Sequence, residues 1–224
     1  MATASPLPSN SSPTSTLPPS QPPPPPTAST PTDFPFPPHY SFPPFFTLQP
    51  TASTRSSQLS SWSTFIQSYC RHHRIFSLSL IDALETPLFN NTALRRRLSV
   101  RDAQSILSWM ATSDGGNRAE FVSTGKKKAS ASASASASDE EGGRCWIYWR
   151  RPEEWSAVVE EWVERTGQRG TVLTLYEIVD GDASRKEEFW NMDIELLMRS
   201  LAVSVKRGKA QIFGGEGSEG VKFF

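Results

Sequence analysis

The sequence predicts an α+β fold built from two similar halves and preceded by a tail that cannot fold. Seventeen of the 19 prolines precede residue 51, and Asp33 is the only charged residue before Arg55. Over the remaining residues, roughly 170 of the 224, the order helix, strand, helix, helix, β-hairpin occurs twice. A helix-turn-helix followed by a β wing is the arrangement of a winged helix. The sequence therefore predicts two tandem winged-helix domains behind a disordered tail rich in Pro, Ser and Thr.

Residues 1–33 form this tail. They include the run Pro22–Pro26 and few large apolar side chains, so burial cannot offset the entropy of ordering the chain. Residues 34–50 differ, because five Phe and one Tyr are interspersed with prolines. We expect the prolines to keep this backbone extended. Because the segment is strongly apolar, it should either pack on its own domain or bind a groove on another protein. We call residues 34–50 the docking segment.

The first domain is predicted to span residues 51–151. Apolar side chains recur at helical spacing from Thr54 to about Arg74, and alternate as in a strand from Ile75 to Ile81. Pro87 interrupts the chain, and we predict a short helix from Leu88 to Leu98.

A third helix and a β wing complete this domain. Ser99, with an acidic residue three positions later, is a capping signal for a helix from Val100 to about Thr112. Ala119–Val122 and Cys145–Trp149 are the predicted arms of the wing. Between them, residues 123–143 approximately form a low-complexity insert of Lys, Ala-Ser repeats and acidic residues, which we expect to be a floppy loop.

The second domain, residues 152–224, repeats the pattern. Pro152 suits the first turn of a helix, Thr174 and Glu177 match a capping box, and Asp193 can cap a third helix. A final hairpin joins Ala210–Phe213 to Val221–Phe224. The boundary near Arg151 leaves almost no linker, so we expect a fixed angle between the domains.

Composition argues against several classes of protein. The formal net charge is zero, whereas nucleic-acid binders usually carry a basic excess. No stretch approaches the roughly 18 apolar residues of a membrane span, and no signal peptide is recognisable. Two cysteines do not make a disulfide framework, which indicates free thiols in a reducing compartment.

Catalytic and metal sites are likewise not predicted. The sequence contains no Gly-rich phosphate loop and no nucleophile elbow, so we expect neither an enzyme nor a cofactor. Cys70, His72 and His73 are close in sequence but do not share one helix face, and zinc needs about four ligands. We expect a packed thiol and two partly exposed imidazoles there.

Five segments, taken in order, resemble one known family. They are Phe42–Pro50, Thr86–Asn91, Trp149–Trp155, Thr174–Glu177 and Gly220–Phe224. Together they resemble the small subunit of ESCRT-II, the vacuolar protein-sorting-associated protein 25 family, over about residues 37 to 224. This sequence departs from the family pattern in its first 33 residues and in the lengthened first wing.

The resemblance implies a non-catalytic scaffold that is cytoplasmic and is recruited peripherally to endosomes, with only indirect membrane contact. Two copies of such a subunit join two larger winged-helix subunits through their N-terminal segments. The second domain recruits an ESCRT-III subunit, and the complex sorts ubiquitinated cargo into multivesicular bodies.

The resemblance also implies the partner-binding residues. They are Pro43, Pro44, Phe45 and Phe46, with Pro37, Pro38 and Tyr40 as an adjacent second copy of the motif. Paired prolines reduce the entropy lost on docking, and one buried ring contributes on the order of 2 kcal/mol. Two alternatives stay open: the segment packs on its own first domain, alone or together with a partner, or Pro37–Tyr40 is a WW-domain ligand.

The alternative function is that of a winged-helix DNA-binding protein, which would use the third helix and the wing of a domain. The first such helix offers Arg101 as its only base. The second offers four bases, mostly at its C-terminal end, where cations favour the helix dipole anyway: Arg199, Lys206, Arg207 and Lys209. Trp109 and Trp190 fit the apolar stripes less well than the other tryptophans and are candidate partner contacts.

Overall fold

A computed structural model of the chain describes residues 34–122, 143–214 and 219–224, together with Met1. From Phe34 onward these residues form one compact unit. The predicted disordered tail, nearly all of the first-wing insert and the tip of the last hairpin lie outside the described residues. Within the described ranges, no helix is both long and apolar enough to cross a membrane.

The two halves share an order of helices and strands, to which the first half adds a pair of two-residue strands. The first half contains α1 (Ala52–His73), β1 (Ser77–Ser79), α2 (Leu80–Ala83), β2 (Asn90–Asn91), β3 (Arg96–Arg97), α3 (Val100–Met110), β4 (Ala119–Phe121) and β5 (Arg144–Ile147). The second half contains α4 (Pro152–Arg165), β6 (Val172–Thr174), α5 (Leu175–Asp180), α6 (Ile194–Lys206), β7 (Ala210–Phe213) and β8 (Gly220–Phe223). The second half therefore has the predicted succession of helix, strand, helix, helix and hairpin, and the first half has it with the β2–β3 hairpin inserted between α2 and α3.

The two larger sheets share one topology. β5 lies between β1 and β4, and β8 lies between β6 and β7, with all pairs antiparallel. In each sheet the strand after the first helix pairs with the last strand, Leu78 opposite Cys145 and Leu173 opposite Val221. Side chains alternate between faces along a strand, so this register directs these four residues into the cores.

Capping signals in the sequence have their expected partners. The Ser99 hydroxyl accepts a hydrogen bond from the Asp102 amide at 3.0 Å at the start of α3. Thr174 and Glu177 form both bonds of the capping box of α5. Asp193 accepts from the Glu195 amide at 3.0 Å and caps α6. These bonds satisfy amides that the helix itself leaves without acceptors.

The predicted helix from Leu88 to Leu98 is wrong, because this stretch forms the β2–β3 hairpin. The Asn91 side chain accepts a hydrogen bond from the Leu94 amide at 3.0 Å, and Arg95 adopts a left-handed conformation with φ of 49°. Such local side-chain bonds compete with helix formation. The predicted strand from Ile75 to Ile81 is also too long, since Leu80 already begins α2.

Each half has its own apolar core, and the first half contributes side chains to both. Phe76, Trp146 and Tyr148 belong to the second cluster, although they precede the predicted domain boundary near Arg151. Trp149 and Trp155 meet edge to face, with ring centroids 5.8 Å apart. An aromatic layer thus joins the two halves across the short linker.

Polar contacts reinforce this junction. Arg199 of α6 lies over the Trp146 ring, 4.1 Å from its centroid, and pairs with Glu120 of β4. Arg74, at the C-cap of α1, lies 5.5 Å from the centroid of Trp190, which accounts for the half-burial of that tryptophan within this chain.

Glu188 is a residue on which three polar contacts of the junction converge. Its carboxylate accepts from the Trp149 indole at 3.1 Å, from Arg150 Nε at 2.9 Å and from Arg71 Nε at 2.9 Å. The three donors come from α1 and from the linker, whereas Glu188 lies just before α6. One half-buried carboxylate therefore links the first half to the second through three donors.

We expect Glu188→Gln to loosen the junction, because an amide cannot accept all three bonds. Arg71 and Arg150 are 59% and 37% exposed and can bond to water instead, so we expect the loss of a typical hydrogen bond, about 0.5–1.5 kcal/mol, in the free energy of unfolding. Hydrogen exchange of the Trp149 indole, measured by NMR, should become faster. Glu187→Gln is the matched control, since Glu187 pairs with Arg165 inside the second half. Equal exchange in both variants would contradict the assignment.

Candidate docking site

The docking segment packs against α1 in two short 3-10 turns. These turns span Pro38–Ser41 and Pro43–Phe46, each with a proline in its first turn. The expected extended backbone is confirmed at Pro37 and Phe42, which precede the turns, and is wrong within them. Proline has no amide hydrogen, and its fixed φ also suits the first position of a helical turn.

The second turn inserts two aromatic rings into the first core. Phe45 stacks on Trp62, with centroids 4.2 Å apart and an angle of 11° between the rings. Phe46 meets the edge of Trp62 at 5.8 Å. Phe45 is 5% exposed and Phe46 is 3% exposed. The two rings and Trp62 therefore form one packed aromatic unit.

Tyr40 anchors the first turn. Its hydroxyl donates to the carbonyl of Pro87, and its ring packs on Phe65 and Phe36. Asn91 Nδ2 returns a hydrogen bond to the Tyr40 carbonyl at 2.9 Å. Burial, followed by the charge of Tyr69, raises the pKa of Tyr40 to about 12, so the hydroxyl keeps its proton at neutral pH. Tyr40 is therefore held both at its side-chain hydroxyl and at its backbone carbonyl.

Gln58 fastens the backbone of the segment to α1. Its amide nitrogen donates to the carbonyls of Phe45 at 2.9 Å and Thr47 at 3.0 Å, and its oxygen accepts from the Gln49 amide at 3.0 Å. Trp62 Nε1 donates to the Phe45 carbonyl at 3.1 Å. The sequence analysis missed Gln58, although its position one helical turn before Trp62 on the apolar face was a usable signal.

The outer face of the segment is exposed. Phe42 is 59% exposed, and Pro38, Pro43 and Pro44 are exposed as well. Beside them lies a groove of about 480 Å³ between the 3-10 turns and α1. It is lined by His39, Phe42, Pro44, Phe45, Gln49, Thr54, Ser57, Gln58 and Ser61.

The predicted partner-binding residues thus divide into two groups. Pro38, Pro43 and Pro44 are exposed and Pro37 is half-buried, whereas Tyr40, Phe45 and Phe46 are buried. For the buried rings, packing on the chain's own domain is the alternative that the contacts support. A WW domain could bind Pro37–Tyr40 only if Tyr40 left its site.

Other side chains singled out in the sequence have structural surroundings. Cys70 and Cys145 are free and buried, and burial raises the pKa of the Cys70 thiol. No group of three or more His, Cys, Asp or Glu that could hold a metal ion occurs among the described residues. Trp109 packs partly against the first core.

Comparison with known proteins identifies the family. A model of the ESCRT-II complex subunit family matches residues 39–193, which is more than half of the chain. The chain belongs to this family. The match includes the two 3-10 turns from His39 onward and most of both halves. The resemblance of the five sequence segments to the small subunit of ESCRT-II is therefore confirmed.

Individual relatives agree with this membership. The chain is 39% identical to vacuolar protein-sorting-associated protein 25 of Danio rerio over 177 residues, covering 79% of this chain and 91% of that protein. It is 38% identical to the Homo sapiens protein, with 79% and 90% covered, and 37% identical to that of Dictyostelium discoideum, with 85% and 96% covered.

Solved structures of this ESCRT-II subunit share the fold. A crystal structure of subunit VPS25 of the endosomal trafficking complex ESCRT-II superimposes with a TM-score of 0.68 at 27% identity, covering 84% of this chain and 98% of that one. A chain in the crystal structure of endosomal ESCRT-II, which contains VPS22, VPS25 and VPS36, gives the same TM-score at 28% identity, with 84% and 98% covered.

Replacing Gln58 should release the docking segment. Gln58→Leu keeps the side-chain volume but removes the hydrogen bonds that Gln58 makes to the segment, so we expect the free energy of unfolding to fall by about 1–3 kcal/mol. Hydrogen exchange at the Phe45 and Thr47 amides should accelerate. Gln67→Leu is the control, because Gln67 bonds only to Ser63 within α1. Unchanged exchange in Gln58→Leu would disprove the fastening role.

Proposed function

We propose that this ESCRT-II subunit is a non-catalytic scaffold of two winged-helix domains that acts in endosomal sorting. Its docking segment joins it to two larger winged-helix subunits, with two copies of the chain in each complex. Its second domain bridges the complex to ESCRT-III for the sorting of ubiquitinated cargo into multivesicular bodies. Family membership supports the proposal most directly, together with the exposed outer face of the docking segment.

The packing energy decides which part of the docking segment is available to a partner. Burial of a ring contributes about 2 kcal/mol, so Tyr40, Phe45 and Phe46 together contribute about 6 kcal/mol, besides their backbone bonds. Whole domains are stable by only about 5–15 kcal/mol. Extracting these rings to fill a partner's pocket would therefore unfold the first domain.

We accordingly propose that the rings anchor the segment and that its outer face makes the contact. Phe42, Pro43 and Pro44 project from a backbone that the rings and Gln58 already hold in place. A preordered segment loses little conformational entropy on binding. This mode combines packing on the chain's own domain with docking on a partner, and it adds Phe42 to the predicted contact residues.

A surface variant tests this mode without disturbing the core. We expect Phe42→Ser with Pro44→Ala to weaken binding to the purified larger ESCRT-II subunits at least tenfold, because an exposed apolar anchor is lost. The melting temperature should stay within a few degrees of that of the natural chain. Isothermal titration calorimetry gives the affinity. Phe45→Ala is unsuitable, since such a core truncation costs about 3–5 kcal/mol.

Phe121→Ser with Pro50→Ala is the matched control. Phe121 is an exposed phenylalanine of β4, and Pro50 is exposed beyond the second turn. Neither residue lines the groove. Unchanged binding by the Phe42 variant would refute docking through this face.

The second domain offers its own exposed apolar side chains for the proposed ESCRT-III contact. Val172 of β6 is 59% exposed and Tyr176 of α5 is 64% exposed, although both elements pack into the second core through neighbouring residues. Phe213 of β7 is 40% exposed. Exposed apolar side chains of this size are candidate partner contacts.

A scan of these positions tests the bridging role. Val172→Asp, Tyr176→Asp and Phe213→Asp are each built into a complex with the larger subunits, and binding of a purified ESCRT-III subunit is measured. We expect at least one variant to lose binding tenfold or more, because a buried carboxylate without a partner is costly. Phe121→Asp, in the first half, is the control. Full binding by all three variants would exclude these side chains from the contact.

The DNA-binding alternative receives no support from the comparisons. Two of the four bases that this alternative would use also have partners within the chain: Arg199 pairs with Glu120, and Lys209 pairs with Glu160 at 2.7 Å. Partnered bases are less available to phosphates, and the net charge of the chain is zero.

A further inference from the structure

Three consecutive arginines precede an exposed serine where the β2–β3 hairpin leads into α3. The run Arg95–Arg97 includes the end of the hairpin turn and all of β3, and Ser99 follows after the single residue Leu98. Leu98 is only 1% exposed, whereas the three arginines and Ser99 are exposed. The buried leucine therefore anchors this backbone in the first core, and the basic run and the serine hydroxyl lie on the outside.

The backbone from β3 to the serine is extended. Arg96 and Arg97 lie in a strand, and Ser99 has φ of −72° and ψ of 152° directly before α3 begins. Successive side chains of an extended chain point to opposite sides, so Arg97 and Ser99 face outward on either side of Leu98. Val100, the residue after the serine, is 47% exposed. An enzyme bound at this surface therefore meets two arginines, the hydroxyl and an apolar side chain in that order.

The surface around this serine is basic, although the net charge of the chain is zero. Of the run Arg95–Arg97, only Arg97 forms an ion pair among the described residues, with Glu85. The two side chains of that pair are 56% and 69% exposed, and such a pair contributes little. Arg101, two residues after Ser99, is exposed and likewise has no ion pair among the described residues. This surface fits a partner whose binding groove is acidic.

We propose that Ser99 is a phosphorylation site for an arginine-directed protein kinase, which binds the basic run in an acidic groove. Kinases of this class recognise arginines two and three residues before the hydroxyl, which are the positions of Arg97 and Arg96. Among the serines and threonines that the structure describes, only Ser99 has arginine at both positions. In the reaction, Ser99 Oγ attacks the γ-phosphorus of ATP and its proton passes to the carboxylate base of the kinase. The bond from the γ-phosphorus to the bridging oxygen breaks, and ADP leaves.

The folded chain accommodates the phosphate that this reaction adds. The Ser99 hydroxyl accepts a hydrogen bond from the Asp102 amide at 3.0 Å, so its oxygen lies at the positive end of α3. A phosphoserine keeps acceptor oxygens there and carries a charge of roughly −1.5 to −2 at neutral pH. Arg96, Arg97 and Arg101 lie within three residues of it, whereas the first turn of α3 contains one acidic residue. We expect the phosphate to tighten this turn through charge-assisted hydrogen bonds.

The first experiment measures phosphorylation of the folded chain. The purified chain is incubated with ATP and the catalytic subunit of cyclic-AMP-dependent protein kinase, an arginine-directed enzyme, and mass spectrometry locates the modified positions. Every chain carries Ser130→Ala, because Ser130 follows a second basic run, Lys126–Lys128. We expect labelling of Ser99. Replacement of both arginines, Arg96→Gln with Arg97→Gln, should lower kcat/KM for this position at least tenfold, because the acidic groove loses its charge partners.

Two control chains are matched to this measurement. Arg101→Gln removes an exposed arginine that follows the serine, and it should be labelled as the natural chain is. Ser99→Asp keeps a residue that caps helices but has no hydroxyl, so position 99 should stay unlabelled. A synthetic peptide of residues 93–104 establishes whether the kinase reads the sequence, and circular dichroism confirms that each variant folds.

The second experiment follows the effect of the phosphate on α3. Hydrogen exchange at the Arg101 and Asp102 amides should be several-fold slower in the phosphorylated chain than in the unmodified chain, because phosphate oxygens are strong acceptors. Faster exchange would show that the phosphate opens the first turn and would overturn the proposed fit.

The labelling experiment has two outcomes that overturn the phosphorylation site. Labelling of the peptide but not of the folded chain would show that Ser99 is inaccessible to the kinase. Equal labelling of the natural chain and the double arginine variant would show that the basic run is not what the kinase recognises. None of these results depends on docking to the larger subunits, so the docking proposal and this one fail separately.

Discussion

The stacking of Phe45 on Trp62 is the contact on which the first half of this subunit depends. Trp62 is fully buried in the middle of α1, and its two faces, edge and indole nitrogen are all in use by neighbours that include Phe46 and Phe89. The docking segment is therefore a part of the first core rather than an attachment to it. Its position also sets which of its side chains point outward.

The segments that carry the family resemblance are the pieces that make these contacts. Thr86–Asn91 supplies the Pro87 carbonyl and the Asn91 amide that hold Tyr40, while Leu88 and Phe89 are fully buried beside them. Trp149–Trp155 forms the junction between the halves, where Trp149 and Arg150 both donate to Glu188. The last segment is the central strand β8 of the second sheet. These segments therefore fix the position of the docking segment and join the two halves.

The docking segment is fixed on one side and exposed on the other. The same turn that buries Phe45 and Phe46 exposes Pro43 and Pro44, because a 3-10 turn directs successive side chains to different sides of the backbone. Proline suits these exposed positions, because it has no amide hydrogen that would need a hydrogen-bond partner. The ring packing thereby holds the prolines at the surface and leaves their outer faces exposed.

By itself, the sequence determined the order of the longer helices and of the strands of the two larger sheets, and most of their ends. Those features depend on local chemistry: apolar spacing, the caps at Ser99, Thr174 and Asp193, and the proline that opens α4. The sequence also identified the docking segment, through its composition and its resemblance to the family. Local patterns failed at the β2–β3 hairpin, where the Asn91 side chain serves Tyr40, 51 residues away in the chain.

Only the tertiary structure decided which face of the docking segment is free. An aromatic ring between prolines has the same local sequence pattern whether it packs in its own domain or in a pocket of a partner. Which of the two occurs depends on contacts with Trp62, Gln58 and Asn91, which are distant in sequence. The burial of His39 Nε2 and the convergence of three donors on Glu188 are likewise invisible in the sequence, because each depends on elements that meet only after folding.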